Sequence, residues 1–152
     1  MASRTRWALA GLITAMLILT GCSSVNEDDL SERLTASASI AVFNGATVEV
    51  QHPGAPWTNK FVVRVFVDDE SAEGVAAAVR QVAIFAAGDS TLDGEELTVM
   101  AYPGFPEDYA DGGLGVSYLP VMGSVSAITG GVGREGVLEL SDADVQRLAA
   151  EQ

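Results

Sequence analysis

The amino-acid sequence predicts an α+β protein: a single two-layer domain with a mixed β-sheet and helices packed on one face. Three stretches carry that expectation. Phe61–Val67 is apolar except for Arg64, the pattern of a central strand whose second face is also partly covered. Val75, Val79, Val82, Ala83 and Ala86 then recur at helical spacing, and Glu96–Ala101 returns to a strand pattern. Strand, helix, strand at this spacing is a crossover unit, which sets the two strands parallel in one sheet.

The remaining elements follow in order. Ser39–Phe43 and Ala46–Gln51 flank Asn44-Gly45, the dipeptide best suited to the positive φ angles of a two-residue hairpin turn. Such a turn pairs Phe43 with Ala46 and sets Ala41, Phe43, Val48 and Val50 on one face. His52-Pro53-Gly54 ends that strand, and Pro56-Trp57 falls in the loop before Lys60–Val67. Asp69 or Ser71 caps the following helix, Glu70 and Glu73 favour its positive end, and Gly88 stops it. Asp89–Glu95 reads as a loop. Val121–Thr129 fits either a strand or buried coil, and Gly131–Gly136 a glycine-rich turn. Val137–Leu140 is a short strand. Ser141 and Asp144 are spaced to cap a last helix running through Glu151, with Val145, Leu148 and Ala149 inward.

The N-terminal stretch has a different logic. Arg4 and Arg6 precede the apolar run Trp7–Leu19, which is followed by Thr20, Gly21 and the only cysteine, Cys22. That is the charged, apolar, small-residue order of a secretory signal. The run falls short of the roughly 20 residues a membrane-spanning helix needs. Leu19-Thr20-Gly21-Cys22 resembles the lipobox of bacterial lipoproteins. The resemblance implies cleavage between Gly21 and Cys22, a diacylglyceryl group on the Cys22 sulfur, and a lipid-anchored protein on the extracytoplasmic face of the cell membrane. Arginine outnumbers lysine seven to one, and alanine, glycine and valine abound. That usage is similar to GC-rich, and specifically actinobacterial, lipoproteins. Arg4 and Arg6 are split by Thr5, which favours the general secretory route over the twin-arginine one. The expected organisation is a signal peptide over 1–21, a lipidated cysteine with an acidic tether over 22–36, and a globular domain over 37–152. Within the tether, Asp28–Leu34 fits either a spacer or a short solvated helix.

Charge narrows the partners. After cleavage, six basic residues face 21 acids, a net charge of −15. Phosphate backbones and anionic headgroups both repel such a surface, so nucleic acid is excluded as a partner and the lipid must hold the protein against its own charge. Two acyl chains supply on the order of 20 kcal/mol, at about 0.8 kcal/mol per methylene, which outweighs that repulsion. With Cys22 lipidated no thiol remains for a disulfide, so the domain must rely on packing.

Motifs with catalytic or cofactor chemistry are each incomplete. Gly131-Val132-Gly133-Arg134-Glu135-Gly136 matches a dinucleotide fingerprint, but a strand follows it where a helix is required. Asp89-Ser90-Thr91-Leu92-Asp93-Gly94 begins like a calcium loop, yet Met100 stands where the closing glutamate belongs. His52 is the only histidine, and no serine sits in a nucleophile elbow. Zinc ligands are equally scarce, so no metal or cofactor is expected. Paired carboxylates arise by chance among 21 acids.

Residues 102–118 are the remaining candidate site. Tyr102, Phe105, Tyr109 and Tyr118 lie there among prolines, glycines, Asp108 and Asp111. Aromatics give contact area at little entropic cost, and acids beside them suit a cationic or sugar-like partner. The competing reading is a long loop pinned to the core by its rings. Tyr102, Phe105, Asp108, Tyr109 and Asp111 are therefore the candidate binding residues of a non-catalytic interaction module for an envelope protein or small ligand. The alternatives are a carrier or sensor of a small apolar or lipid ligand and, third, an envelope hydrolase using carboxylates.

Overall fold

A computed structural model describes residues 25–38, 42–55, 58–115 and 117–151. The expected signal peptide, the Gly21–Cys22 cleavage point, the lipidation site and Pro56-Trp57 lie outside the described residues. The described residues form an α+β domain of four α-helices and a five-stranded mixed open sheet. In chain order come α1 (Glu27–Ser37), β1 (Gly45–Gln51), β2 (Lys60–Val67), α2 (Ala72–Gly88), β3 (Leu97–Pro103), a 3-10 turn over Pro106–Tyr109, α3 (Met122–Thr129), β4 (Val132–Arg134), β5 (Val137–Leu140) and α4 (Asp142–Ala150).

The strand order is β1-β2-β3-β5-β4, with β2 and β3 parallel and every other pair antiparallel. The crossover unit is thus present as expected. Ser71 caps α2 by accepting from Gly74 N at 3.1 Å, while the Asp69 carboxylate accepts from Ser71 N at 3.0 Å. The hydrogen-bonded register aligns Val48, Val63, Val99 and Leu138 across the sheet. These residues meet the inward sides of all four helices in one buried core. Alanines at 76, 78, 83 and 86 are fully buried on α2, which lets the helix backbone sit close to the sheet.

Three expectations are corrected. Asn44-Gly45 is not a hairpin turn: Gly45 opens β1 opposite Phe66, and Asn44 N donates to the Phe66 carbonyl at 2.7 Å. The antiparallel partner of β1 is β2, and Val42 and Phe43 are not in a strand (Ser39–Ala41 lie outside the described residues). The two-residue hairpin lies instead at Glu135-Gly136, where Arg134 pairs with Val137 and Gly136 has φ +71°. The Tyr118 ring fills the space a Gly136 side chain would take. Gly45 is constrained by contact, because a Cβ there would lie 2.7 Å from Pro106 Cγ. Gly45→Ala should therefore destabilise the fold by about 1–3 kcal/mol through overpacking. Introducing Pro106→Ala as well should recover most of that loss in denaturant unfolding, as no backbone-strain account would require.

Val121–Thr129, expected as strand or coil, is helical in α3, with Met122, Val125 and Thr129 buried at helical spacing. Packing against β4 and α2 overrides the weak local propensity. The third correction concerns the tether. Residues 27–37 form α1, capped by Asn26, and Leu30 and Leu34 are 1% and 0% exposed in the shared core. This segment is part of the folded domain and not a spacer.

α1 also solves an edge problem. β1 lies at the rim of the sheet and would present unpaired N–H groups. Glu27 Oε1, Ser31 Oγ and Thr35 Oγ1 accept from Val50, Val48 and Ala46 N at 2.7, 2.8 and 3.0 Å. Successive turns of α1 meet β1 in descending order, Glu27 at Val50, Ser31 at Val48 and Thr35 at Ala46, so the helix runs antiparallel to the strand and covers its edge. Arg33 adds an ion pair to the Asp89 carboxylate beyond the end of α2. Burial acts to raise the Asp89 carboxyl, but the Thr91 N–H and the Arg33 guanidinium outweigh it and hold the pKa below the ordinary value. A depressed folded pKa means that this contribution is complete above the unfolded carboxyl's titration and is lost as pH falls through the folded one. Asp89→Asn should cost about 1–3 kcal/mol near pH 7 and show a shallower loss of stability than wild type in acid titration.

Candidate functional site

The sheet face away from the helices positions the candidate residues. Phe66 on β2 and Tyr102 on β3 are neighbours in register and both 1% exposed. Tyr109, from the 3-10 turn, packs on both, and all three ring centroids are 5.6 Å apart. Tyr102 Oη donates to the Leu114 carbonyl at 2.8 Å, and Tyr109 Oη donates to the Pro103 carbonyl at 2.9 Å. The two phenols thus fasten opposite sides of the 104–115 loop to the end of β3. Burial raises the pKa of both, and the charges of Asp108 and Glu70 push Tyr109 further up. Both therefore stay protonated as donors.

Tyr102 is accordingly not a surface anchor. Its expected binding role is corrected: the ring is buried, as is most of the cluster, and it pins the loop. Tyr109 is partly buried in the same role. Asp108 accepts from Phe105 N at 2.8 Å and so caps the 3-10 turn. Phe105 is the exception, half exposed at 50% while its backbone is held on both sides. Asp111 is exposed.

Asn44 ties this end of the molecule together, as the sequence reading missed. Its Nδ2 donates to Asp68 Oδ1 at 2.8 Å and to the Gly104 carbonyl at 2.9 Å, joining the start of β1 to the ends of β2 and β3. Asp68, Asp69 and Glu70 therefore sit at the same end of the sheet as Glu107, Asp108 and Asp111, and all six are exposed. No ion pair among the described residues involves any of the six. The result is a half-exposed aromatic ring on a braced loop with a negative surround. Such a surface can recognise a partner that offers an apolar contact and positive charge.

The opposite end of the sheet carries a groove of about 480 Å³ lined in part by Pro53, Lys60, Thr98, Glu139 and Asp144. Its charged side chains do not suit an apolar ligand. His52 is exposed just beyond β1, with no nucleophile bonded to it among the described residues. Asp89, first in the calcium-like loop, is occupied by Arg33 and by Thr91 N at 2.9 Å. Among the described residues, no group of three or more histidines, cysteines or acids is placed to hold a metal, and no helix is long and apolar enough to cross a membrane. Comparison with protein-family models, curated proteins and solved structures finds no match.

Proposed function

We propose that the protein is a lipid-anchored cell-envelope lipoprotein whose domain is a non-catalytic recognition module, held by Cys22 on the extracytoplasmic face of the membrane. The anchor rests on the basic, apolar and Leu19-Thr20-Gly21-Cys22 order. The recognition reading rests on one observation: Phe105 stays half exposed while the loop that carries it is fastened by Tyr102 and Tyr109. A braced aromatic loses little entropy on binding, and a central aromatic anchor carries a disproportionate share of interface energy. The exposed acids beside it favour a cationic patch on an envelope protein or a cationic small ligand. The carrier reading has less support, since helix and sheet side chains close the core to a few per cent exposure.

Phe105→Ala should weaken partner capture from envelope extracts by roughly tenfold or more, as hot-spot truncations do, and leave the unfolding midpoint unchanged. Turnover of an envelope substrate by the pure protein would contradict the non-catalytic reading. Cys22→Ala should abolish incorporation of a fatty-acid analogue, because no other thiol exists. Label persisting in that variant would contradict the anchor.

A further inference from the structure

We infer that α1 fixes which end of the domain faces the membrane: the end bearing His52 and Lys60 lies toward the lipid, and the end bearing Phe105 points away from it. The inference rests on the proposed lipidation of Cys22 and specifies the surface that the anchored module offers.

α1 is not a free leader. Leu30 and Leu34 are buried in the core, and Glu27, Ser31 and Thr35 are bonded along the edge of β1. The direction of that seat is decisive. Glu27 is level with Val50, near the end of β1, while Thr35 is level with Ala46, near its start. The first helical residue therefore emerges beside Gln51 and His52, and the strand paired there begins at Lys60. The loop carrying Phe105 is at the other end, where Gly104 N donates to the Val67 carbonyl.

Chain length then limits the arrangement. Five residue steps separate Cys22 from Glu27. Fully extended, they reach at most about 18 Å. The six strand steps from the level of Val50 to that of Asn44 span about 20 Å, and Phe105 lies beyond them. Inverting the domain to press Phe105 on the membrane would lift Glu27 farther from the lipid than the leash allows. Charge does not choose between the ends, since Glu96, Glu139 and Asp144 line the groove beside Lys60 just as acids surround Phe105; the seat of α1 and the length of the leash decide. Asp28 and Asp29 are exposed near the anchored end, so that end is held beside the headgroups by the lipid and not drawn into them.

The test uses the full lipidated protein reconstituted in phosphatidylcholine–phosphatidylglycerol vesicles carrying a headgroup quencher. With the Cys22 sulfur alkylated by lipid, an introduced cysteine is the only free thiol. His52→Cys and Glu107→Cys replace exposed residues at the two ends and are labelled with the same fluorophore. The His52→Cys label should be quenched severalfold more strongly than the Glu107→Cys label. Equal quenching, or stronger quenching at Glu107→Cys, overturns the orientation while leaving the lipoprotein reading intact. A purified protein whose Cys22 carries no lipid by mass, and which stays off the vesicles, overturns the lipoprotein reading and the orientation with it.

Discussion

A chain beginning at Ser37 is expected to be unfolded or aggregated, whereas one beginning at Ser23 unfolds in a single cooperative transition. The shorter chain lacks α1 and with it Leu30 and Leu34, both essentially inaccessible in the core. Emptying each leucine site costs about 2–5 kcal/mol where the surroundings cannot collapse. The three side-chain bonds to β1 add about 0.5–1.5 kcal/mol each. The sum approaches the whole stability of an ordinary domain, about 5–15 kcal/mol. Removal of α1 also uncovers the N–H groups of Ala46, Val48 and Val50 on a rim strand, a template for intermolecular pairing. Circular dichroism and light scattering on the two chains check this. A Ser37 chain that is monomeric and cooperatively folded would mean that α1 is dispensable.

Tyr102→Ala is expected to lower stability by about 3–5 kcal/mol, the range for truncating a buried aromatic. The ring is in contact with Phe66 and Tyr109, and its hydroxyl holds the Leu114 carbonyl. Tyr102→Phe separates the two contributions: it keeps the ring and should cost only about 0.5–1.5 kcal/mol for the lost hydrogen bond. Any loss of partner capture in Tyr102→Ala should disappear at a temperature where the variant is fully folded. The same comparison for Phe105→Ala should show the opposite, a capture defect without a stability defect. Chemical denaturation and capture on one set of variants distinguish a residue that pins the loop from one that touches a partner.

The crossover unit was legible because its signals agree: β2 is apolar on both faces, α2 has a helical stripe of valine and alanine, and Ser71 caps it. α4 was legible for the same reason, with Ser141 and Asp144 forming a reciprocal cap. Asn44-Gly45 misled because a turn preference is local, whereas the partner of β1 is a strand nine residues beyond its end in sequence. α1 was underestimated because only Leu30 and Leu34 mark its inward stripe. Its other signal, Glu27, Ser31 and Thr35 at successive turns, has meaning only once β1 is known to be an uncovered edge. In the candidate site, composition singled out residues 102–118, but the direction of each side chain decides its role. The extension of β3 to Pro103 placed Tyr102 on the covered face beside Phe66, and of the aromatics proposed as anchors only Phe105 is half exposed.

In-cell photocrosslinking from position 105 determines whether Phe105 touches an envelope partner. A photoreactive phenylalanine analogue replaces Phe105, and the same group at Gln146, exposed on α4, serves as the reference. A recognition surface at Phe105 gives a discrete crosslinked species in the membrane fraction from position 105 and none from position 146. The absence of any adduct at 105, or the same adducts from both positions, would contradict it.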